Sequence, residues 1–212
     1  MKLSFTRPRS VVAALAVAAM TFLLAPAAQA ELKQQNIVHL ISSSQSIVAG
    51  TVRKVSDGVD ANGMPYTEVT MDVGSSVKGA IKTGGQYTFR QFGLTQPRTM
   101  PNGRRLLVVT PPELPRWHEN EYVVAFLYHP AARTGLQTTT GLAQGKFVKV
   151  NERISNQFGN AGLFAGVQAR PGTLTASEQA LLSSKGPVEV EAFMSLLRHV
   201  VQDQLIQTGG LK

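Results

Sequence analysis

The chain has 212 residues, with 21 Lys+Arg against 13 Asp+Glu for a formal charge of +8, and no cysteine. The missing thiols exclude disulfides, zinc–thiolate centres, thiol catalysis and a lipid-modified cysteine behind a leader. This length suits one domain or one domain with an appendage, and the positive charge is too diffuse to predict nucleic-acid binding.

Met1 to Ala30 reads as a secretory leader. Lys2, Arg7 and Arg9 precede the apolar run Val11 to Leu24, and Ala28-Gln29-Ala30 is a small-x-small cleavage pattern. The run is short for a spanning helix, which needs ~20 apolar residues, and Pro8 separates the two arginines, so no twin-arginine signal is expected. Cleavage after Ala30 removes three basic and no acidic residues, leaving 18 Lys+Arg against 13 Asp+Glu, a formal charge of +5. The expected address is periplasmic or secreted, with no stable membrane anchor after processing.

Leu32, Ile37, Leu40 and Ile41 recur at helical spacing and predict a short helix ending at Ser42-Ser43-Ser44. Strand character starts at Ser46. Gly50, inside Ile47 to Val52, suits a bulge, while Asp57-Gly58 and Asn62-Gly63 read as turns. Tyr66 to Val73 alternates cleanly between polar and apolar residues, the pattern of a half-buried strand. Further strands are expected at Tyr87 to Phe92 and Arg104 to Thr110, and a central one buried on both faces at Tyr122 to Tyr128. Leu136 to Val150 offers two short strands broken near Gly141 to Gly145.

Beyond Asn151 the character changes. The Gly- and Asn-rich stretch from Asn156 to Gly172 reads as a loop, Thr175-Ala176-Ser177-Glu178 is a capping box opening a short helix, and Phe193, Leu196, Leu197, Val200 and Val201 mark an amphipathic helix. The expected organisation is a signal peptide at 1–30, a β-domain at 31–150 and a loop with a C-terminal helical appendage at 151–212.

Several motifs resemble catalytic signatures only superficially. Ser75-Ser76-Val77-Lys78 fits S-x-x-K and Lys82-Thr83-Gly84 fits K-T-G, yet they nearly adjoin and no S-D-N exists. Gly141 to Phe147 has one residue too few for a phosphate loop and lacks its Ser/Thr. His39, His118, His129 and His199 have no metal-ligand spacing, and no G-x-S-x-G occurs. No catalytic residue, metal or cofactor is therefore assigned, although a triad assembled in space leaves no sequence trace.

The segment Phe92 to Trp117 carries the positive hypothesis. It holds Pro97, Pro101, Pro111, Pro112 and Pro115 together with Arg98, Arg104, Arg105, Arg116 and the only tryptophan. Proline stiffens a loop, and arginine and tryptophan recur as binding anchors. Phe92, Arg98, Arg104, Arg105, Arg116 and Trp117 are thus the candidate binding residues for an acidic or extended partner. The competing reading is a stiff loop whose Trp117 closes one end of a barrel.

The order of Ser44 to Val52, Tyr66 to Val73, Val77-Lys78-Gly79 and Glu121 to Leu127 resembles the netrin-like domain of tissue inhibitors of metalloproteases. Uncharacterised bacterial exported proteins carrying a Gly-Leu-x-Gln-Gly-Lys-Phe segment, here Gly141 to Phe147, are similar too. The resemblance covers roughly residues 36–150 and implies an OB-type barrel. Its inhibitory chemistry uses an N-terminal cysteine on the protease zinc and does not transfer to a chain without cysteine. The expected fold is mainly β: an OB-like closed or partly open antiparallel barrel with a short N-terminal helix and one or two C-terminal helices. The expected role is a non-enzymatic module binding an envelope or secreted protein, with no nucleic-acid partner. Inhibition of an envelope or secreted peptidase and a hydrolase with a spatially assembled site stand as alternatives.

Overall fold

The computed structural model describes residues 34–212, so the leader and its cleavage point lie outside the described residues. Helix α1 (Ile37–Ser43) starts at Asn36, whose side-chain oxygen accepts the His39 N–H at 3.0 Å, and it buries Ile37, Leu40 and Ile41. Its far end is capped by Lys78, whose ammonium donates to the Ile41 and Ser42 carbonyls at 2.6 and 3.4 Å, the favourable charge for a helix C-terminus. That contact gives the S-x-x-K look-alike a structural role.

Strands β1 (Ser46–Val59) and β2 (Pro65–Lys78) form a long antiparallel hairpin. Its turn is built by Asp60, whose Oδ1 accepts the Asn62 and Met64 N–H groups at 2.8 Å each, with Gly63 at φ 80°. The turn expected at Asp57-Gly58 does not form: both residues lie in β1, opposite Thr67 and Tyr66. A Cβ on Gly58 would fall 2.6 Å from the Tyr66 hydroxyl, so the tyrosine covers the surface the glycine leaves bare. The bulge expected at Gly50 is present as a register shift between Ala49 and Gly50. A Cβ there would sit 2.0 Å from the Asp72 carbonyl oxygen, so only glycine admits this approach.

Strand β3 (Gln86–Phe92) pairs with β2, and β6 (Tyr122–Leu127) lies on the other side of β1. Strands β7 (Lys146–Val150), β8 (Arg153–Asn156) and β9 (Val188–Glu189) continue outward, giving the order β3-β2-β1-β6-β7-β8-β9 with every pairing antiparallel. A separate small sheet joins β4 (Arg98–Thr99) to β5 (Arg105–Leu106). The chain is thus mainly antiparallel β with three α-helices among the described residues.

The seven-stranded sheet is open, so the closed form of the expected barrel is not present: β3 and β9 do not pair. Strand β9 has only two residues, and the outer edge of β3 is met by Gln137, whose N–H donates to the Arg90 carbonyl at 2.7 Å. Two further expectations change. The strand read at Arg104 to Thr110 shrinks to Arg105–Leu106, and beyond it the chain turns away to form only an isolated bridge between Val109 and Leu94. The chain after Asn151, read as loop and helices, adds β8 and β9 to the sheet.

Both faces of the central strands are buried, which explains why β6 reads as apolar throughout. On one face Ile47, Ala49, Val124 and Phe126 pack with Phe147, α1 and the long helix α3 (Val190–Gln202). Phe147 is the hinge of this core, its ring centroid 5.4 Å from Phe126 and 5.1 Å from Phe193. On the other face Val48, Val52, Val69, Met71, Phe89, Val123, Ala125 and Leu127 pack with Trp117. Helix α2 (Ala176–Leu181) starts with the expected capping box between Thr175 and Glu178. No helix among the described residues is long and apolar enough to cross a membrane.

Candidate functional site

The candidate segment leaves the sheet at Gly93, whose φ of 98° and close approach to Thr110 exclude a side chain. Leu94 N–H donates to the Val108 carbonyl at 3.0 Å and Thr110 N–H to the Leu94 carbonyl at 2.8 Å, pinching residues 94–110 into an arm closed at its base. The arm is tied down on one side through Asp57. Its carboxylate pairs with Arg98 and accepts the Thr95 N–H and hydroxyl at 2.8 and 2.5 Å. Burial pushes the Asp57 carboxyl up, but Thr95 and the Arg98 guanidinium outweigh it and hold it below its ordinary value.

Beyond that anchor the arm is basic and apolar at once. Arg104 and Arg105 are exposed, and neither guanidinium is in an ion pair among the described residues. Leu107 is 64% and Val108 39% exposed. Between Phe92 and His118 the only acidic residue is Glu113.

The chain then returns along the sheet with alternating burial: Pro115 in, Arg116 out, Trp117 in, His118 out. Buried polar side chains grip its main chain from beneath. Gln91 Nε2 donates to the Pro115 carbonyl at 2.9 Å, Lys146 Nζ to the Arg116 carbonyl at 2.5 Å, and His118 N–H donates to Glu121 Oε1 at 2.9 Å. Trp117 donates its Nε1–H to Gln91 Oε1 at 3.2 Å and meets Phe89 edge-on with centroids 5.2 Å apart.

The Lys146 side chain is only 5% exposed and Glu121's 13%, and the two form an ion pair. The Lys146 ammonium also lies 4.8 Å from the Trp117 ring centroid. Burial lowers the Lys146 pKa, with Glu121 opposing the shift. Arg116 and His118 therefore stand on a ridge clamped at the Pro115 and Arg116 carbonyls and the His118 N–H, with a cleft on each side. One cleft, of about 250 Å³, runs over Thr67, Leu94, Val109 and Thr110; the other, of about 380 Å³, over Pro112, Leu114, Val148 and Val150.

Of the six residues singled out in the sequence, Arg104, Arg105 and Arg116 present free charge at the surface. Arg98 is bound to Asp57, Phe92 is half-buried at the end of β3, and Trp117 is enclosed at 6% exposure. The structure adds His118, Leu107, Val108, Glu121 and Lys146. Only the apolar Leu-Leu-Val-Val run at 106–109 signalled itself in the sequence; Lys146 and Glu121 lie 25 residues apart.

A second polar cluster joins α2 to α3. Glu178, buried, accepts from Thr175 N–H at 3.0 Å, Ser195 Oγ at 3.0 Å and His199 Nδ1 at 2.9 Å. Although Ser, His and a carboxylate meet here, they do not form a nucleophile relay. Ser195 donates to the carboxylate rather than to the imidazole, and His199 Nε2 faces Asp203 at 3.3 Å. No group of three metal-ligating residues occurs among the described residues. No protein-family model, curated protein or solved structure matches this chain.

Proposed function

We propose that this chain is an exported, periplasmic or secreted, non-enzymatic binding module on an OB-like sheet, and that residues 92–118 hold an acidic segment of an envelope or secreted protein. The observation that carries the reading is the clamped ridge. Arg116 and His118 are fixed through their own main chain and flanked by two clefts, while Arg104, Arg105, Leu107 and Val108 extend the same segment into solvent. Preorganisation of this kind lowers the ordering cost of binding. Arginine beside exposed apolar side chains suits a carboxylate-bearing protein partner.

The test is site-specific photocrosslinking in an envelope extract. A photoreactive residue at Leu107 or Arg116 is expected to capture one common partner, and the same group at Gln202 on α3 is expected to capture none. Capture should fall on raising the salt concentration and vanish in Arg104→Glu/Arg105→Glu. The same adduct at Gln202, or capture indifferent to the charge reversal, refutes the proposal.

A further inference from the structure

We infer that the larger cleft, between residues 112–118 and the β7–β8 hairpin, receives an apolar side chain of the partner, so that the recognised segment places a leucine- or valine-sized residue beside a carboxylate. This deepens the proposed role of residues 92–118 and rests on it.

The cleft's volume of about 380 Å³ falls within the usual range for small recognition sites. Pro112 and Leu114 on one side and Val148 and Val150 on the other supply an apolar lining. Val150 is 66% exposed at its rim. The cleft is also built rather than incidental. Ala143 N–H donates to the Glu113 carbonyl at 2.8 Å and so ties the two walls together. To place Ala143 there, the chain holds Gly141 and Leu142 in consecutive left-handed conformations, at φ 66° and 58°. A leucine in that region is strained and persists only where its surroundings impose it.

Charge decides the class of occupant. Glu121 neutralises Lys146 at the base, while Arg116 on the wall makes no ion pair among the described residues. An apolar group entering the cleft thus lies next to one uncompensated guanidinium, and a carboxylate adjacent to that group completes the match.

Fluorescence anisotropy with two labelled octapeptides tests this, one alternating Asp and Leu, the other alternating Asp and Ser. The Asp-Leu peptide is expected to bind the protein about tenfold more tightly, the order gained by burying one leucine side chain. Val150→Gln, a change at the cleft's exposed rim, is expected to remove that gain, so that the variant binds the two peptides alike. Equal affinities for the two peptides, or a gain that survives Val150→Gln, overturns the inference while leaving the binding role standing. Failure of both peptides to bind overturns the binding role and the inference with it.

Discussion

Replacing Glu121 by leucine tests the clamp beneath the ridge. The substitution leaves the Lys146 ammonium, 5% exposed, without its counter-charge. Removing one partner of a buried ion pair costs about 3–5 kcal/mol. Here the lower end applies, because Lys146 keeps the Arg116 carbonyl at 2.5 Å and the Trp117 ring at 4.8 Å. Burial also lowers its pKa, so it can shed its proton once Glu121 is gone. The expected loss is about 3 kcal/mol, or a fall in Tm of about 6–12 °C for a domain of this size. Lys146→Met should cost less, about 2 kcal/mol, since Glu121 retains the His118 N–H at 2.9 Å and is the more solvated of the two. The double variant should return to within about 1 kcal/mol of the parent, because neither charge is then left unpaired. Urea unfolding followed by far-UV circular dichroism and by the single tryptophan reads all three. A Glu121→Leu variant as stable as the parent, or a double variant as unstable as the two singles added together, refutes the reasoning.

Gly50→Ala should destabilise by about 2 kcal/mol or more in the same unfolding assay, since its Cβ would meet the Asp72 carbonyl oxygen at 2.0 Å. Trp117→Ala should cost about 3–5 kcal/mol as a core truncation, measurable by thermal unfolding. For Glu178, burial pushes the carboxyl up, but Thr175, His199 and Ser195 more than offset it and hold it below its ordinary value. A depressed carboxyl contributes stability above its unfolded pKa, near 4.5, and loses it as the pH falls through the folded value. The gap between parent and Glu178→Gln should therefore be about 1–3 kcal/mol at neutral pH and close in acid, as read by unfolding across a pH series. Asp57→Ala, which releases Thr95 and Arg98, should accelerate tryptic cleavage after Arg104 and Arg105 with little change in Tm.

What could be read from the sequence was local. Alternation marked β2, because its faces differ in burial, and unbroken apolarity marked β6, because both of its faces are covered. The Thr175 capping box and the α3 stripe act within a few residues and were visible for that reason, while Gly50 showed itself by residue type, as a glycine inside a β-branched strand. The two-residue β9 carries too few side chains to show a period. Asp57-Gly58 has turn chemistry, but pairing with Tyr66 and Thr67 overrides it. At the candidate site the arginines were identifiable by type, while burial of Trp117 and the Lys146–Glu121 pair depend on strands brought together across the sheet. No spacing rule encodes such meetings.

At Arg116 and His118 the grip acts on the main chain: the Arg116 side chain takes no part in it, and His118 adds only an exposed imidazole 3.7 Å from Glu121. Mutational drift can therefore rewrite those two positions without taxing the scaffold. A protein built this way can change what it recognises while keeping its architecture, and a library randomised at 104, 105, 107, 116 and 118 should retain mostly folded members.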